Sequence, residues 1–162
     1  MQPAIDRAQV DIVDFPGTNI AALEHRGDPA TIGDTIRTFI RWRKERKLSP
    51  KVSRTFNIFY VDAEDVPPEQ FRMDVCVSIP TATVDQNDIG VVVKAIPAGR
   101  CAKLRHVGCD ETLDAAIHFL YAQWLPQSGE ELRDFPLFLE RLTFFPDVPE
   151  HEAVVEIYLP LR

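Results

Sequence analysis

The chain has 162 residues, 45% hydrophobic and 27% charged, with a formal net charge of −7. That composition suits one globular domain able to bury a core, and the acidic balance argues against a general nucleic-acid binder while suiting cationic partners. No run approaches the ~18 apolar residues of a membrane span, no secretory segment opens the chain, and three cysteines without a C-x-x-C pair (Cys76, Cys101, Cys109) read as reduced thiols in a cytoplasmic protein.

Residues 1–8 read as a loose terminus. Residues 10–14 predict a strand, Pro16-Gly17 a turn, and residues 19–25 the returning arm of a hairpin. Asp28 before Pro29 is a helix-start signal: a side-chain acceptor, then a residue with no N–H to leave unsatisfied. The helix is expected over 29–47, with Ile32, Ile36, Phe39 and Ile40 at helical spacing. Arg37, Arg41, Lys44, Arg46 and Lys47 lie mostly off that stripe. In an acidic chain they read as a solvated face rather than a nucleic-acid patch, and they suit the negative end of the helix dipole. Leu48-Ser49-Pro50 ends the helix. Residues 55–61, rich in aromatic and β-branched side chains, predict a strand; 62–70 with Pro67-Pro68 a loop; 71–79 a strand closed by Pro80; and 81–87 a polar linker.

The pattern then restarts. Residues 91–96 and 101–107 predict a second hairpin about Pro97-Ala98-Gly99. Gly108-Cys109-Asp110 breaks it, with Asp110 the expected N-cap of a helix over 111–124 that carries Leu113, Ile117, Leu120 and Trp124 on one face. Leu125-Pro126 is the expected helix end and Ser128-Gly129 a turn. Runs over 136–145 and 153–159 supply two final strands.

The halves share landmarks as well as element order. His25-Arg26-Gly27 precedes the first helix and His106-Val107-Gly108 the second. Trp42 follows Gly27 by 15 residues and Trp124 follows Gly108 by 16; the aspartates of Asp65-Val66-Pro67 and Asp147-Val148-Pro149 follow those glycines by 38 and 39. Ile79-Pro80 and Leu159-Pro160 close the two halves. The expected fold is therefore α+β: one domain over 1–162, a tandem pseudo-twofold repeat of βαββ units (about 9–80 and 89–161), each with a leading hairpin. Antiparallel sheets would carry one long helix per half, with a ligand groove between halves.

These residues resemble the GyrI-like small-molecule-binding domain. This family includes gyrase-inhibitory proteins and the effector-binding parts of AraC-type and some MerR-type transcription regulators. The resemblance rests on Phe59-Tyr60 ahead of Pro67, on Arg72-Met73-Asp74 followed by Val75, Val77, Ile79 and Pro80, on Trp124-Leu125-Pro126 leading through Ser128-Gly129 to Arg133-Asp134 and Pro136, and on Ile157-Tyr158-Leu159-Pro160. It covers the chain from about residue 10 onward. It implies a hydrophobic, often cationic, small-molecule ligand, no cofactor, and a buried glutamate facing the ligand's charge. An aromatic wall stacks on a flat cation and a desolvated carboxylate supplies the counter-charge.

The family pattern Pro-x-Phe-Glu-x-Tyr meets Pro136-Leu137-Phe138-Leu139-Glu140-Arg141 here. Without a gap Leu139 takes the glutamate position and Arg141 the tyrosine position, leaving Glu140 on the opposite face; a β-bulge near Phe138 would bring Glu140 back to the groove. The candidate ligand-binding residues are Trp42, Phe59, Tyr60, Tyr121, Phe138, Leu139, Glu140 and Arg141, with Trp124 a structural aromatic, Asp74 an acid that fixes a strand end and Glu156 a reserve acid. Glu111, Asp114 and His118 share a helix face but read as exposed polar residues rather than a metal half-site, and His151-Glu152 reads as surface. The expected function is a binding module that senses or sequesters a hydrophobic or cationic small molecule and is not an enzyme. The alternatives are a gyrase-inhibiting or toxin-antagonising protein with a regulator or gyrase as partner, and a hydrolase of reactive small molecules. No helix-turn-helix segment precedes the domain, so direct nucleic-acid binding by that route is not expected, and neither is a membrane partner.

Overall fold

The architecture comes from a computed structural model that describes residues 9–61, 66–143 and 147–162. In chain order the described elements are β1 (Val10–Phe15), β2 (Thr18–Arg26), α1 (Ile32–Glu45), β3 (Thr55–Phe59), β4 (Arg72–Ser78), β5 (Val92–Ile96), β6 (Gly99–Val107), α2 (Asp110–Phe119), α3 (Leu125–Ser128), β7 (Phe138–Arg141) and β8 (Val154–Pro160). Asp65, residues 144–146 of the last predicted run, the terminus 1–8 and the side chain of Asp110 lie outside the described residues. No helix among the described residues is long and apolar enough to cross a membrane.

The chain divides into two compact units. The first unit, Gly17–Pro97, holds α1 and strands in the order β5-β2-β4-β3; the second, Ala98–Arg162 with β1, holds α2, α3 and strands in the order β1-β6-β8-β7. All these pairings are antiparallel. The leading hairpins expected from Pro16-Gly17 and Pro97-Ala98 do not form: β1 pairs with β6, and β2 with β5. The two-residue links explain this. A tight hairpin needs positive φ at one or both central positions, which Pro16 and Pro97 exclude and which neither Gly17 nor Ala98 supplies. Each link instead carries the chain onward, so the opening strand of each half is built into the unit of the other half.

Each unit buries an apolar sheet face under its helix. In the first, Ala21 and Leu23 of β2 and Met73, Val75 and Val77 of β4 meet Phe39 and Trp42 of α1, whose rings stack at 5.7 Å. The sequence missed Arg43, which is buried too. Its guanidinium bonds Thr55 Oγ1 at 2.8 Å, Ser53 O at 3.1 Å and Leu48 O, tying the helix end to β3. The other basic residues of α1 lie at the surface or half-buried: Arg37 pairs with Asp34, and Arg46 pairs with Glu45 and covers the Trp42 ring at 4.9 Å.

A histidine couples strand to helix in both units. His25 Nε2 donates to Asp28 O at 3.0 Å, and Nδ1 lies 2.7 Å from Thr35 Oγ1. His106 Nε2 lies 2.9 Å from Thr112 Oγ1 and 3.3 Å from Cys109 O. Beside them Gly27 donates to Phe71 O and Gly108 to Ala153 O, each at 2.9 Å. Both glycines take positive φ, +119° and +142°, which side chains rarely adopt.

The second helix departs from expectation at both ends. Cys109, not Asp110, holds the N-cap position, and the helix does not stop at Trp124. One π-helical turn, Leu120–Trp124, passes directly into α3, which contains Pro126 in its first turn and ends at Gly129 in the left-handed conformation (φ +76°). The proline falls where its ring would crowd a carbonyl of a regular α-turn, and the wider turn precedes it.

Candidate functional site

Strand alternation decides which side chains meet. In the second unit β7 and β8 pair without interruption: Phe138 opposite Tyr158, Leu139 opposite Ile157, Glu140 opposite Glu156 and Arg141 opposite Val155. There is no bulge. β6 continues the register with Lys103 opposite Tyr158, Leu104 opposite Ile157 and Arg105 opposite Glu156. Side chains of period two therefore sort into two faces. Leu139, Arg141, Ile157, Leu104 and His106 share one face, and the His106–Thr112 contact marks it as the helix side. Phe138, Glu140, Glu156, Tyr158, Lys103 and Arg105 share the other.

On that helix-free face three aromatic rings close on one another. Phe138 and Tyr158 stack at 5.1 Å and 11°, and Phe15 of β1 sets its edge to both, at 4.9 and 5.1 Å. Phe135 adds an edge contact to Phe138 at 6.1 Å. Beside the rings stand two buried carboxylates, Glu140 at 7% and Glu156 at 9% exposure. Glu156 receives Arg105 Nη2 at 3.2 Å and Lys103 Nζ at 3.3 Å, and Tyr158 Oη lies 3.4 Å from it. Like charges directly opposite on paired strands repel; the two cations on Glu156 relieve that repulsion. Stacked rings next to a desolvated carboxylate are a chemical arrangement that holds an organic cation.

The first unit carries a different polar cluster on its helix-free face. Asp74 is fully buried, and its Oδ2 accepts from Tyr60 Oη at 2.6 Å and Lys94 Nζ at 2.7 Å. Arg72 and Lys94 both lie over the Tyr60 ring, at 4.6 and 5.1 Å. Burial raises the Tyr60 pKa, and the hydrogen bond to Asp74 adds to it. Burial works against the Lys94 ammonium, but its bonds to Asp74 and Tyr60 outweigh that and lift its pKa above the ordinary lysine value. Cys76, on the same face and fully buried, has its thiol pushed well up by desolvation. Ile58 stands opposite Asp74, the register position that Glu140 holds opposite Glu156.

The eight residues singled out in the sequence thus scatter. Phe138 and Glu140 come together on the aromatic face. Leu139 and Arg141 point to the helix side. Tyr60 joins Asp74 and Lys94. Trp42 lies in the core under α1, with Phe59 half-buried against that core. Tyr121 is 41% exposed on the π-helical turn. Phe15 and Tyr158 were missed as ring partners of Phe138. The i, i+2 spacing of Phe138 with Glu140 and of Glu156 with Tyr158 was the available signal. Among the described residues no group of three His, Cys, Asp or Glu side chains is placed to hold a metal ion, and Glu111, Asp114 and His118 are all exposed.

The sequence profile of the GyrI-like small molecule binding domain matches residues 8–162. The chain belongs to this family. It is 35% identical over 153 residues to the probable transcriptional regulator YgiV of Escherichia coli K12, covering 94% of this chain and 95% of YgiV. The fold is shared with the C-terminal domain of EcmrR (TM-score 0.76, 16% identity, 95% of this chain and 97% of that domain). In an EcmrR–DNA complex the chain spans only 57% of EcmrR (TM-score 0.77, 15% identity, 95% of this chain). It is also shared with SAV2435, whose structure holds tetraphenylphosphonium (TM-score 0.57, 10% identity, 94% of this chain and 93% of that chain). The chain is thus a GyrI-like small-molecule-binding domain, related in sequence to the probable transcriptional regulator YgiV.

Proposed function

We propose that the protein binds a hydrophobic organic cation against the rings of Phe15, Phe138 and Tyr158, with Glu140 as counter-charge, and so senses or sequesters the compound. The observation that carries this reading is the position of Glu140: a buried carboxylate on the helix-free face, next to the stacked rings of Phe138 and Tyr158. Tetraphenylphosphonium in SAV2435 is a ligand of this chemical class. The relation to YgiV supports a regulatory use of binding.

The test is titration with tetraphenylphosphonium and ethidium, followed by calorimetry and tryptophan quenching. Saturable binding is expected, weakened about tenfold (~1.4 kcal/mol) in Glu140→Gln. No saturation, or an unchanged affinity in Glu140→Gln, would sink the reading. Time-dependent breakdown of the compound that Glu140→Gln abolishes would assign the protein to hydrolysis instead.

We also infer that the chain is a tandem duplication with a pseudo-twofold relation between its halves. The matching strand orders, the paired His25 and His106 contacts and the paired Gly27 and Gly108 hydrogen bonds support it.

A further inference from the structure

Helix α1 keeps one side under the sheet and leaves another bare. Phe39, Trp42 and Arg43 are buried. At about 100° per residue, Ile36, Ile40 and Lys44 follow one another along a ridge at the border of that buried side, and Arg37 and Arg41 form the next ridge round. Ile36 and Ile40 are 39% and 44% exposed, which leaves two isoleucines one turn apart open to water. Arg37, Arg41, Lys44 and Lys47 are exposed beside them.

The cations concentrate on this helix against the sign of the whole chain. Residues 32–47 hold six of the 18 basic residues and two of the 25 acidic ones, a net +4 in a chain of −7. Arg43 is engaged inside the fold, Arg37 pairs with Asp34 and Arg46 with Glu45. Among the described residues no acid pairs with Arg41, Lys44 or Lys47. Lys44 and Lys47 suit the negative end of the helix dipole. Arg41 stands four residues after Arg37 and three before Lys44, spacings at which like charges weaken a helix. Neither the core nor the helix itself accounts for bare isoleucines set beside unpaired cations.

We propose that this face of α1 docks an acidic amphipathic helix of another protein, which sets apolar side chains on Ile36 and Ile40 and carboxylates on Arg41, Lys44 and Lys47. The two ridges enclose a groove that accepts a ridge of side chains from a second helix. The isoleucines supply the apolar centre of such a contact and the cations its polar rim. Charge complementarity selects the partner. A second copy of the same face would set cation against cation, so the contact does not join two copies through α1. Nucleic acid and an anionic membrane also carry negative charge, but the net −7 of the chain repels an extended polyanion. A lipid surface takes up the apolar face of a whole helix, and that of α1 is already under the sheet. The site involves no residue of the aromatic face.

The probe is a capped peptide of three Glu-Ala-Leu-Glu-Glu-Leu-Ala heptads, titrated into the full chain at low salt and followed by amide NMR. Saturable binding is expected although peptide and protein are both acidic, with the shifts centred on residues 36–47. Affinity should fall roughly tenfold in Arg41→Glu/Lys44→Glu and about threefold in Ile40→Gln, both at exposed positions where the amide spectrum reports that the fold is kept. No saturation, or shifts centred on other residues, would overturn the proposal. So would Ile40→Gln binding as tightly as wild type, which would reduce the contact to attraction between charges. Phosphatidylserine vesicles or a DNA duplex shifting these amides where the peptide does not would overturn it in favour of a lipid or nucleic-acid surface.

Discussion

Glu140 and Ile58 occupy matching places, each opposite an acid of the neighbouring strand, and their difference separates the two helix-free faces. Opposite Ile58, Asp74 is enclosed by Tyr60 and Lys94. Opposite Glu140, Glu156 is matched by Lys103 and Arg105 while a second carboxylate stands beside the rings. The Asp74 cluster makes a prediction about alkaline stability. Lys94 and Tyr60 both have raised pKa values in the folded protein, from ordinary values of 10.5 and 10.0. Above about pH 10 the folded state then holds more protons than the unfolded chain, so raising the pH favours unfolding. The contribution is complete below pH 10 and is lost as pH rises through the folded values. Urea midpoints measured from pH 8 to pH 11 should fall at the alkaline end, and more shallowly in Lys94→Met. A wild-type slope identical to that of Lys94→Met would show that the cluster does not couple to stability.

At the level of the elements, placement was legible and partnership was not. Every described strand except β7, which ends at Arg141 where the run was expected to continue to 145, coincides within about two residues with an expected run of branched or aromatic side chains, because those signals act within a few residues of the chain. Pairing depends on residues dozens of positions away. Pro16-Gly17 reads as a turn in the sequence, but no turn forms there; the φ values that a hairpin needs were the missing information. Likewise the alternation within residues 138–141 was readable, but which face the helix covers was not, since that depends on His106 meeting Thr112. The loop ahead of β7 shows a similar long-range constraint. Gly99 takes φ +155°, and a side chain there would sit 2.5 Å from Arg133 Nη1, the guanidinium that donates to Ala98 O at 2.8 Å. Gly99→Ala should therefore destabilise the protein by about 1–3 kcal/mol, read as a lower urea midpoint at unchanged slope. Stability equal to wild type would mean that Arg133 moves aside without loss.

The whole chain is divided by strand exchange: β1 serves the second unit and β5 the first. Halves cut where the sequence repeats are thus not the halves that fold. A fragment of residues 17–97 keeps four paired strands and α1, whereas one of residues 9–80 loses β5 and carries β1 without β6. The first should unfold cooperatively in urea with dispersed amide signals, and the second should not; equal cooperativity in the two would count against exchange as a folding constraint. The π-helical turn bears on the same history. Under the proposed duplication the landmarks of the two halves drift by one residue, and Trp124 stands 16 residues past Gly108 where Trp42 stands 15 past Gly27. A π turn accommodates one more residue than an α turn without rotating the later side chains off their face, and both tryptophans are buried. Leu120–Trp124 then takes up the one-residue difference in spacing between the two proposed copies as a local bulge rather than as a rotation of the helix.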